Sequence, residues 1–122
     1  MATGRVILVV DDDAFTAEMT GTMIEEAGYE VMVADGGPDA LEKMASNGSI
    51  GAVVADLNMP ALDGLQLYAE MRRRGHLQPF VLLTAEDAEP LKLAHPYLDG
   101  VMCKDDKLQD ALPGILRSIL RG

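Results

Sequence analysis

Cysteine, tryptophan and long apolar runs are scarce or missing in this chain of 122 residues. The single cysteine, Cys103, excludes an intramolecular disulfide. No apolar run approaches the roughly 20 residues that a membrane-spanning helix needs, and the N-terminus lacks the pattern of a signal peptide. We therefore expect a single domain over residues 1–122, located in the cytoplasm and without membrane contact.

Positive charge is also in short supply. Ten lysines and arginines stand against twenty aspartates and glutamates, which gives a formal net charge of −10 at pH 7. Such a surface repels nucleic-acid phosphates, so direct binding to DNA or RNA is not expected. The apolar fraction of 48% is ordinary for a globular domain with one core.

Short apolar and β-branched runs alternate with helical patterns along the chain. Strands are predicted over residues 5–10, 29–34, 50–55, 80–84 and 100–103. Helices are predicted over about 38–46 and 64–74, and a last helix carries apolar residues at helical spacing from Leu108 to Ile119. Pro113 inside this last helix is expected to cost one hydrogen bond. The stretch between Pro90 and Pro96 leaves room only for a short or irregular fourth helix.

The first helix is expected to begin near Asp13 and to stop at Gly28, because glycine often ends a helix. One face of this helix is predicted to present Phe15, Met19, Met23 and Ala27.

The alternation of five strands with helices is typical of an α/β fold, in which helices cover both faces of a parallel sheet. Right-handed crossovers leave few arrangements of the strands. The expected one is a flavodoxin-like (βα)5 three-layer sandwich with strand order 2-1-3-4-5. Strands 1 and 3 are neighbours in that order, so the residues that follow them should converge.

Four of the predicted strands end in residues that carry chemistry. These residues are Asp11, Asp12 and Asp13 after the first strand, Asp56 after the third, Thr84 at the end of the fourth, and Lys104 after the fifth. Crowded carboxylates repel one another unless a cation joins them, and Mg²⁺ prefers oxygen ligands. A carboxylate can also act as the nucleophile that forms an aspartyl phosphate. Taken alone, the three acids after the first strand and Thr84 could be helix caps, and Lys104 could be a surface charge. Asp56 is harder to explain in this way, because an acid that follows an apolar strand is costly unless the strand end opens to solvent or a metal. Together these groups point to a divalent metal and a phosphoryl group.

Several motifs occur together in chain order. They are VILVVDDD at residues 6–13, ADGG at 34–37, DLNMPALDG at 56–64, TAE at 84–86, and Lys104. In this combination the chain resembles, over its whole length, the receiver domain of two-component response regulators. The likeness is closest to the free-standing chemotaxis type, because no effector domain follows in the sequence. It implies a sensor histidine kinase or a histidine phosphotransfer protein as the phosphodonor, and a downstream protein target.

The resemblance implies an acceptor and a metal site. Asp56 would accept the phosphoryl group from a phosphohistidine. Asp11 and Asp12 would hold Mg²⁺, with Mn²⁺ as an alternative; Asp12 would bind directly and Asp11 largely through water. Asp56 and the backbone carbonyl of Asn58 would complete the protein ligands.

The resemblance also implies groups that contact the phosphoryl oxygens. Asn58, Thr84, the backbone amide of Ala85 and Lys104 would bind the phosphate. Asn58 and Glu86 occupy the two positions that tune hydrolysis of the aspartyl phosphate. The implied chemistry is self-directed phosphotransfer and autodephosphorylation, without an external substrate.

Three features depart from the family pattern. Asp105 follows Lys104 where the family usually has proline, so we expect a trans peptide bond and a rearranged loop. Val101 stands where an aromatic switch residue is usual, and the fourth helix is interrupted by prolines. All three lie on the face through which receivers usually contact their partners.

Two other interpretations remain open at this point. A haloacid-dehalogenase-type phosphatase also uses a nucleophilic aspartate at a strand end, but Phe15 stands where its threonine would be expected. A degenerate receiver that binds partners without phosphorylation is the second alternative. The complete set of Asp56, Thr84, Lys104 and the acid pair argues against it.

Overall fold

Five β-strands alternate with five α-helices along the chain. The computed structural model describes residues 6–121. The elements are β1 (Val6–Val10), α1 (Ala14–Glu26), β2 (Glu30–Ala34), α2 (Gly37–Ser46), β3 (Ile50–Asp56), α3 (Gly64–Arg73), β4 (Phe80–Thr84), α4 (Glu89–Ala94), β5 (Gly100–Cys103) and α5 (Leu108–Arg121). The predicted strands and helices agree with these bounds to within one or two residues, except that the predicted start of β1 at Arg5 lies outside the described residues.

The five strands form one parallel sheet in the order β2-β1-β3-β4-β5. This is the predicted flavodoxin-like order, and it makes β1 and β3 neighbours. Val10 pairs with Ala55 at the carboxyl ends of these strands, so the residues that follow them, Asp11 and Asp56, come out side by side.

The core has two layers, one on each face of the sheet. Leu8, Val53 and Phe80 point to the face that α2, α3 and α4 cover. Their neighbours Ile7 and Val54 point to the opposite face, against α1 and α5. Because successive side chains of a strand alternate between faces, strands covered on both sides read as continuous apolar runs.

The predicted face of α1 is not the face that packs on the sheet. The buried residues of α1 are Ala17, Thr20, Gly21 and Ile24, whereas Phe15 is 69% exposed and Met19 is 48% exposed. Small residues on the inner side let the helix lie close to the sheet, since a Cβ on Gly21 would come 3.3 Å from Val31 Cγ1. The larger apolar residues are therefore left on the outside.

The prolines of the last two helices have different effects on helix length. As predicted, α4 is short: its six residues from Glu89 to Ala94 include Pro90 in the first turn, and none of them is buried. In contrast, α5 continues through Pro113 as a helix of 14 residues. Within residues 6–121, none of the helices has the length and apolar character needed to cross a bilayer.

The loop between β3 and α3 is tightly constrained. A Cβ on Gly64 would lie 2.6 Å from the carbonyl oxygen of Asp56, so only glycine allows the loop to return this close to the strand. Ala61 has φ of +69°, a left-handed conformation that costs a non-glycine residue roughly 1–2 kcal/mol. Among the described residues it is the only non-glycine residue with positive φ.

Replacing Ala61 by glycine is therefore expected to stabilise the protein. Relief of the left-handed strain should outweigh the greater entropy of glycine in the unfolded chain, for a net gain of about 0.5–1 kcal/mol in the free energy of unfolding. Urea unfolding followed by far-ultraviolet circular dichroism measures this change. The matched control is Ala69→Gly, at an exposed position inside α3, which should lose about as much. A loss of stability in Ala61→Gly would contradict the prediction.

Candidate functional site

The carboxyl ends of four adjacent strands bring the predicted site residues together. Asp11 follows β1, Asp56 is the last residue of β3, Thr84 is the last residue of β4, and Lys104 follows β5. In an open parallel sheet this edge is the usual place for a ligand site. The arrangement matches the prediction made from the strand ends.

Three carboxylates form the centre of the site. Asp11, Asp12 and Asp56 each offer an oxygen atom, and these atoms all lie within 4.8 Å of one another. Asp11 and Asp56 are only 4% and 8% exposed, whereas Asp12 is exposed. Two buried acids and one exposed acid thus surround a common space that is open to solvent on the side of Asp12.

Asp13, which we placed outside the acid pair, supports the cluster. Its backbone N–H donates to Asp11 Oδ1 at 2.9 Å. Its side chain caps α1 by accepting from the backbone N–H groups of Phe15 and Thr16. The same residue therefore starts the helix and holds the Asp11 carboxylate in place.

Lys104 joins the two buried carboxylates. Its Nζ lies 2.9 Å from Asp56 Oδ1 and 3.3 Å from Asp11 Oδ2. Burial raises the pKa of Asp56, and the hydrogen bond and charge of Lys104 oppose that rise without cancelling it. Burial also disfavours the charged form of Lys104, but its hydrogen bond to Asp56 and the charge of Asp11 outweigh this and raise the pKa of the ammonium group.

One ammonium group does not balance three carboxylates. The cluster keeps two uncompensated negative charges when Asp11, Asp12 and Asp56 are all ionised beside Lys104. A divalent cation with a preference for oxygen ligands matches both this charge and the spacing of the oxygen atoms. Asp11, Asp12 and Asp56 are therefore the residues that could hold a metal ion.

Thr84 supplies a hydroxyl group at the end of β4, the strand beside β3. It is 1% exposed, and its backbone carbonyl accepts from the N–H of Lys104 at 2.7 Å. Its Oγ1 accepts from the backbone N–H of Glu86 at 3.1 Å. Because a hydroxyl group can accept and donate at once, this bond leaves the O–H of Thr84 able to donate to a ligand.

The remaining predicted residues lie on the rim. Asn58, Ala85 and Glu86 are exposed, in the loops that follow β3 and β4. Among residues 6–121, no hydrogen bond connects the side chain of Asn58 or Glu86 to the acidic cluster. The structure thus brings Asp11, Asp12, Asp56, Thr84 and Lys104 together and leaves these three around the opening.

Sequence reasoning missed one structural residue near the site. Asp105 follows Lys104 through a trans peptide bond, as predicted, and no cis bond occurs in the described part of the chain. Its side chain accepts from the N–H of Lys107 at 3.0 Å. This bond from an aspartate side chain to the backbone N–H two residues ahead is an Asx turn, and an aspartate in the loop before a predicted helix favours one.

Comparison with known proteins places the chain in a family. The profile of the response regulator receiver domain matches residues 7–103. Response regulator MprA of Mycobacterium sp. (strain KMS) is 40% identical over 88 residues. That match covers 72% of this chain but only 38% of MprA, so the chain spans well under half the length of this curated relative.

Solved structures agree with the family assignment. The response regulator TrrA of Thermotoga maritima, solved in complex with Mg²⁺ and BeF, superposes with a TM-score of 0.84 at 30% identity and covers 95% of this chain and 99% of its own. The chemotaxis protein CheY4 of Vibrio cholerae has the same fold, with a TM-score of 0.79 at 24% identity, and covers 94% of this chain and 98% of its own. The chain belongs to the response regulator receiver domain family of two-component signal transduction.

Proposed function

We propose that this receiver domain accepts a phosphoryl group on Asp56 from the phosphohistidine of a partner protein. In the transfer, the P–N bond of the phosphohistidine breaks, its electron pair stays on the imidazole nitrogen, and a P–O bond forms to the Asp56 carboxylate. The observation that carries the proposal is the placement of Asp56 beside both the Lys104 ammonium group and the carboxylates of Asp11 and Asp12. A nucleophilic carboxylate and positive charge for the phosphoryl oxygens are what this reaction requires.

A bound divalent metal would add positive charge at the phosphoryl oxygens. Asp11, Asp12 and Asp56 would hold Mg²⁺ or Mn²⁺, together with the backbone carbonyl of Asn58. The fit of the three carboxylates supports this assignment, and the related TrrA was solved with Mg²⁺ and BeF.

The chain's own donors would bind the transferred group. Lys104 would exchange part of its contact with Asp56 for the phosphoryl oxygens, and the O–H of Thr84 and the N–H of Ala85 would donate to them. In hydrolysis, water attacks phosphorus, the P–O bond to Asp56 breaks, and inorganic phosphate leaves. Asn58 and Glu86 are exposed beside the opening, where their side chains would control how water approaches.

The phosphorylated state would be read by a second protein. The aspartyl phosphate carries a charge of about −2, which changes the hydrogen bonding around it. We expect only a modest coupling to partner binding, because Val101 stands where the family usually has an aromatic switch residue. The exposed loop after Thr84 and the short α4 are the segment that we expect to move.

Phosphorylation of Asp56 is expected when the protein is incubated with Mg²⁺ and acetyl phosphate. Intact-mass measurement should show the gain of one phosphoryl group. Asp56→Asn should gain none, and wild-type protein with chelator in place of Mg²⁺ should gain little. Labelling of Asp56→Asn would show that another residue is the acceptor. A folded wild-type protein that is never labelled would instead favour the degenerate receiver.

Removing the charge of Asp56 is expected to stabilise the metal-free protein at neutral pH. Because burial raises the pKa of Asp56, the folded state holds its proton more tightly than the unfolded chain does. The free-energy cost of ionising Asp56 in the folded state is absent below the ordinary carboxyl pKa. It grows as the pH rises towards the raised pKa of Asp56 and persists at neutral pH. Lys104 does not reverse this effect of pH on stability, since its own pKa is raised and it stays protonated at neutral pH.

Urea unfolding of Asp56→Asn and wild type over a range of pH measures this difference. The variant should have the higher free energy of unfolding at neutral pH, and the gap should close in acid. Added Mg²⁺ should stabilise the wild type more than the variant, since a ligand stabilises only the state that binds it. The control is Asp106→Asn, at an exposed position. A less stable Asp56→Asn at neutral pH would refute the expectation.

An apolar surface beside the site would receive the phosphodonor. Phe15 and Met19 are exposed on α1, two turns or less from Asp13. With Met23, Glu18 and Glu26 they line a cavity of about 420 Å³. The two glutamates give this surface a negative charge, so the donor should present apolar and basic side chains near its phosphohistidine.

Replacing Phe15 by alanine is expected to slow transfer from a protein donor only. Exposed aromatic residues often dominate protein interfaces, so the rate should fall on the order of tenfold with a phosphorylated histidine phosphotransfer domain as donor. Labelling by acetyl phosphate should not change, because that donor needs no docking surface. Leu93→Ala on α4, where the side chain is 81% exposed, is the control. Equal slowing with both donors would mean that Phe15 acts on the site itself.

A further inference from the structure

The turn between β5 and α5 carries Lys104, the one cation that contacts the acidic cluster in the described chain. The backbone N–H of Lys104 donates to the carbonyl of Thr84 at 2.7 Å, which ties Lys104 to the end of β4. Beyond Lys104 the chain leaves the sheet, and three residues, 105–107, connect it to the start of α5. The position of the Lys104 side chain therefore depends on how residues 105–107 are held.

Asp105 makes three hydrogen bonds that hold this turn. Its backbone N–H donates to the carbonyl of Cys103 at 2.9 Å, and its own carbonyl accepts from the N–H of Leu108 at 3.1 Å. Its side-chain Oδ1 accepts from the N–H of Lys107 at 3.0 Å. Leu108 is 5% exposed, so the turn is fixed at its far end to the buried start of α5.

Only the side-chain bond depends on the chemistry of Asp105. The two backbone bonds would be available to any residue other than proline, which has no N–H. The bond from Oδ1 closes an Asx turn that only a side chain with an oxygen at this distance can make. Asparagine offers the same oxygen, whereas alanine offers none.

We propose that Asp105 is a positioning residue for Lys104, acting through the turn rather than by touching the phosphoryl group. The inference rests on the proposed phosphorylation of Asp56. The Asx turn of Asp105 sets the direction of the chain after β5. In this direction, Nζ of Lys104 contacts both Asp56 and Asp11. Phosphoryl transfer depends mainly on the placement of charges, so a small displacement of the ammonium group carries a large kinetic cost.

The first test compares the rate of labelling by acetyl phosphate and Mg²⁺ in three variants. Asp105→Ala should be slower by about tenfold, and Asp105→Asn should lie within about twofold of wild type, because misplaced catalytic groups commonly cost one or two orders of magnitude. Asp106→Ala, an exposed neighbour, should match the wild type. If Asp105→Asn is as slow as Asp105→Ala, the charge matters and the hydrogen bond does not, which overturns the proposal.

A second measurement distinguishes positioning from general destabilisation. In protein with ¹³C-labelled lysine, the Cε resonance of Lys104, assigned with Lys104→Met, should move in Asp105→Ala and stay in place in Asp105→Asn. An Asp105→Ala protein that is less stable but keeps both the resonance and the labelling rate would show a merely structural role. In the Lys104→Met background, Asp105→Ala should slow labelling no further; an additional loss there would also overturn the proposal.

The resonance also separates this inference from the proposed function. It reports the surroundings of the ammonium group without any phosphorylation. A wild-type protein that is never labelled, but whose Lys104 resonance follows the expected pattern, would refute the phosphorylation of Asp56 and still support the positioning by Asp105. Labelling of the wild type together with an unmoved Lys104 resonance in Asp105→Ala would support the phosphorylation of Asp56 and refute the positioning by Asp105.

Discussion

The contact of one ammonium group with two buried carboxylates constrains the whole carboxyl edge of the sheet. Asp11 and Asp56 lie side by side and almost out of solvent, where charges of like sign are costly unless a cation accompanies them. Lys104 supplies that cation from β5, which is separated from β1 by two other strands. The contact is possible only when all the strands between them are in the right order and register.

Local structure at the start of each following segment holds the acids and the cation on the sheet edge. Asp13 caps α1 and donates its N–H to Asp11, and Gly64 lets α3 begin against the carbonyl of Asp56. Asp105 turns the chain into α5 directly after Lys104. The loop after Thr84 begins with one bond of this kind, from the N–H of Glu86 to Thr84 Oγ1, but it leads into α4, which buries none of its six residues. The site therefore combines three firmly held segments with one weakly held segment, and local opening of a protein concentrates where burial is low.

Much of this arrangement can be predicted from the sequence because it follows from continuous apolar runs and from the residues at their ends. The runs before Asp11, Asp56 and Thr84 read as buried strands, and their order brings those residues together. The inner face of α1 could not be predicted in the same way, since Ala17, Thr20, Gly21 and Ile24 carry a weaker apolar signal than Phe15 and Met19. The inner face of α1 is set by the small residues that allow the helix to lie close to the sheet, and a hydropathy pattern gives no information on residue size. The left-handed conformation of Ala61 could not be predicted from the sequence either, because glycine is the residue usually found in that conformation.

The site is assembled from residues at the ends of several strands, and this affects how the protein folds. Lys104 and Asp11 are 93 residues apart in sequence, and β5 is an edge strand of only four residues. Contacts over such separations form slowly, because much of the chain must be ordered before they close. A chain whose β5 has not docked still carries both acids but lacks their cation. Under the proposed function, such a partly folded chain would lack the ammonium group that binds the phosphoryl oxygens, so full reactivity of Asp56 would require that β5 has docked.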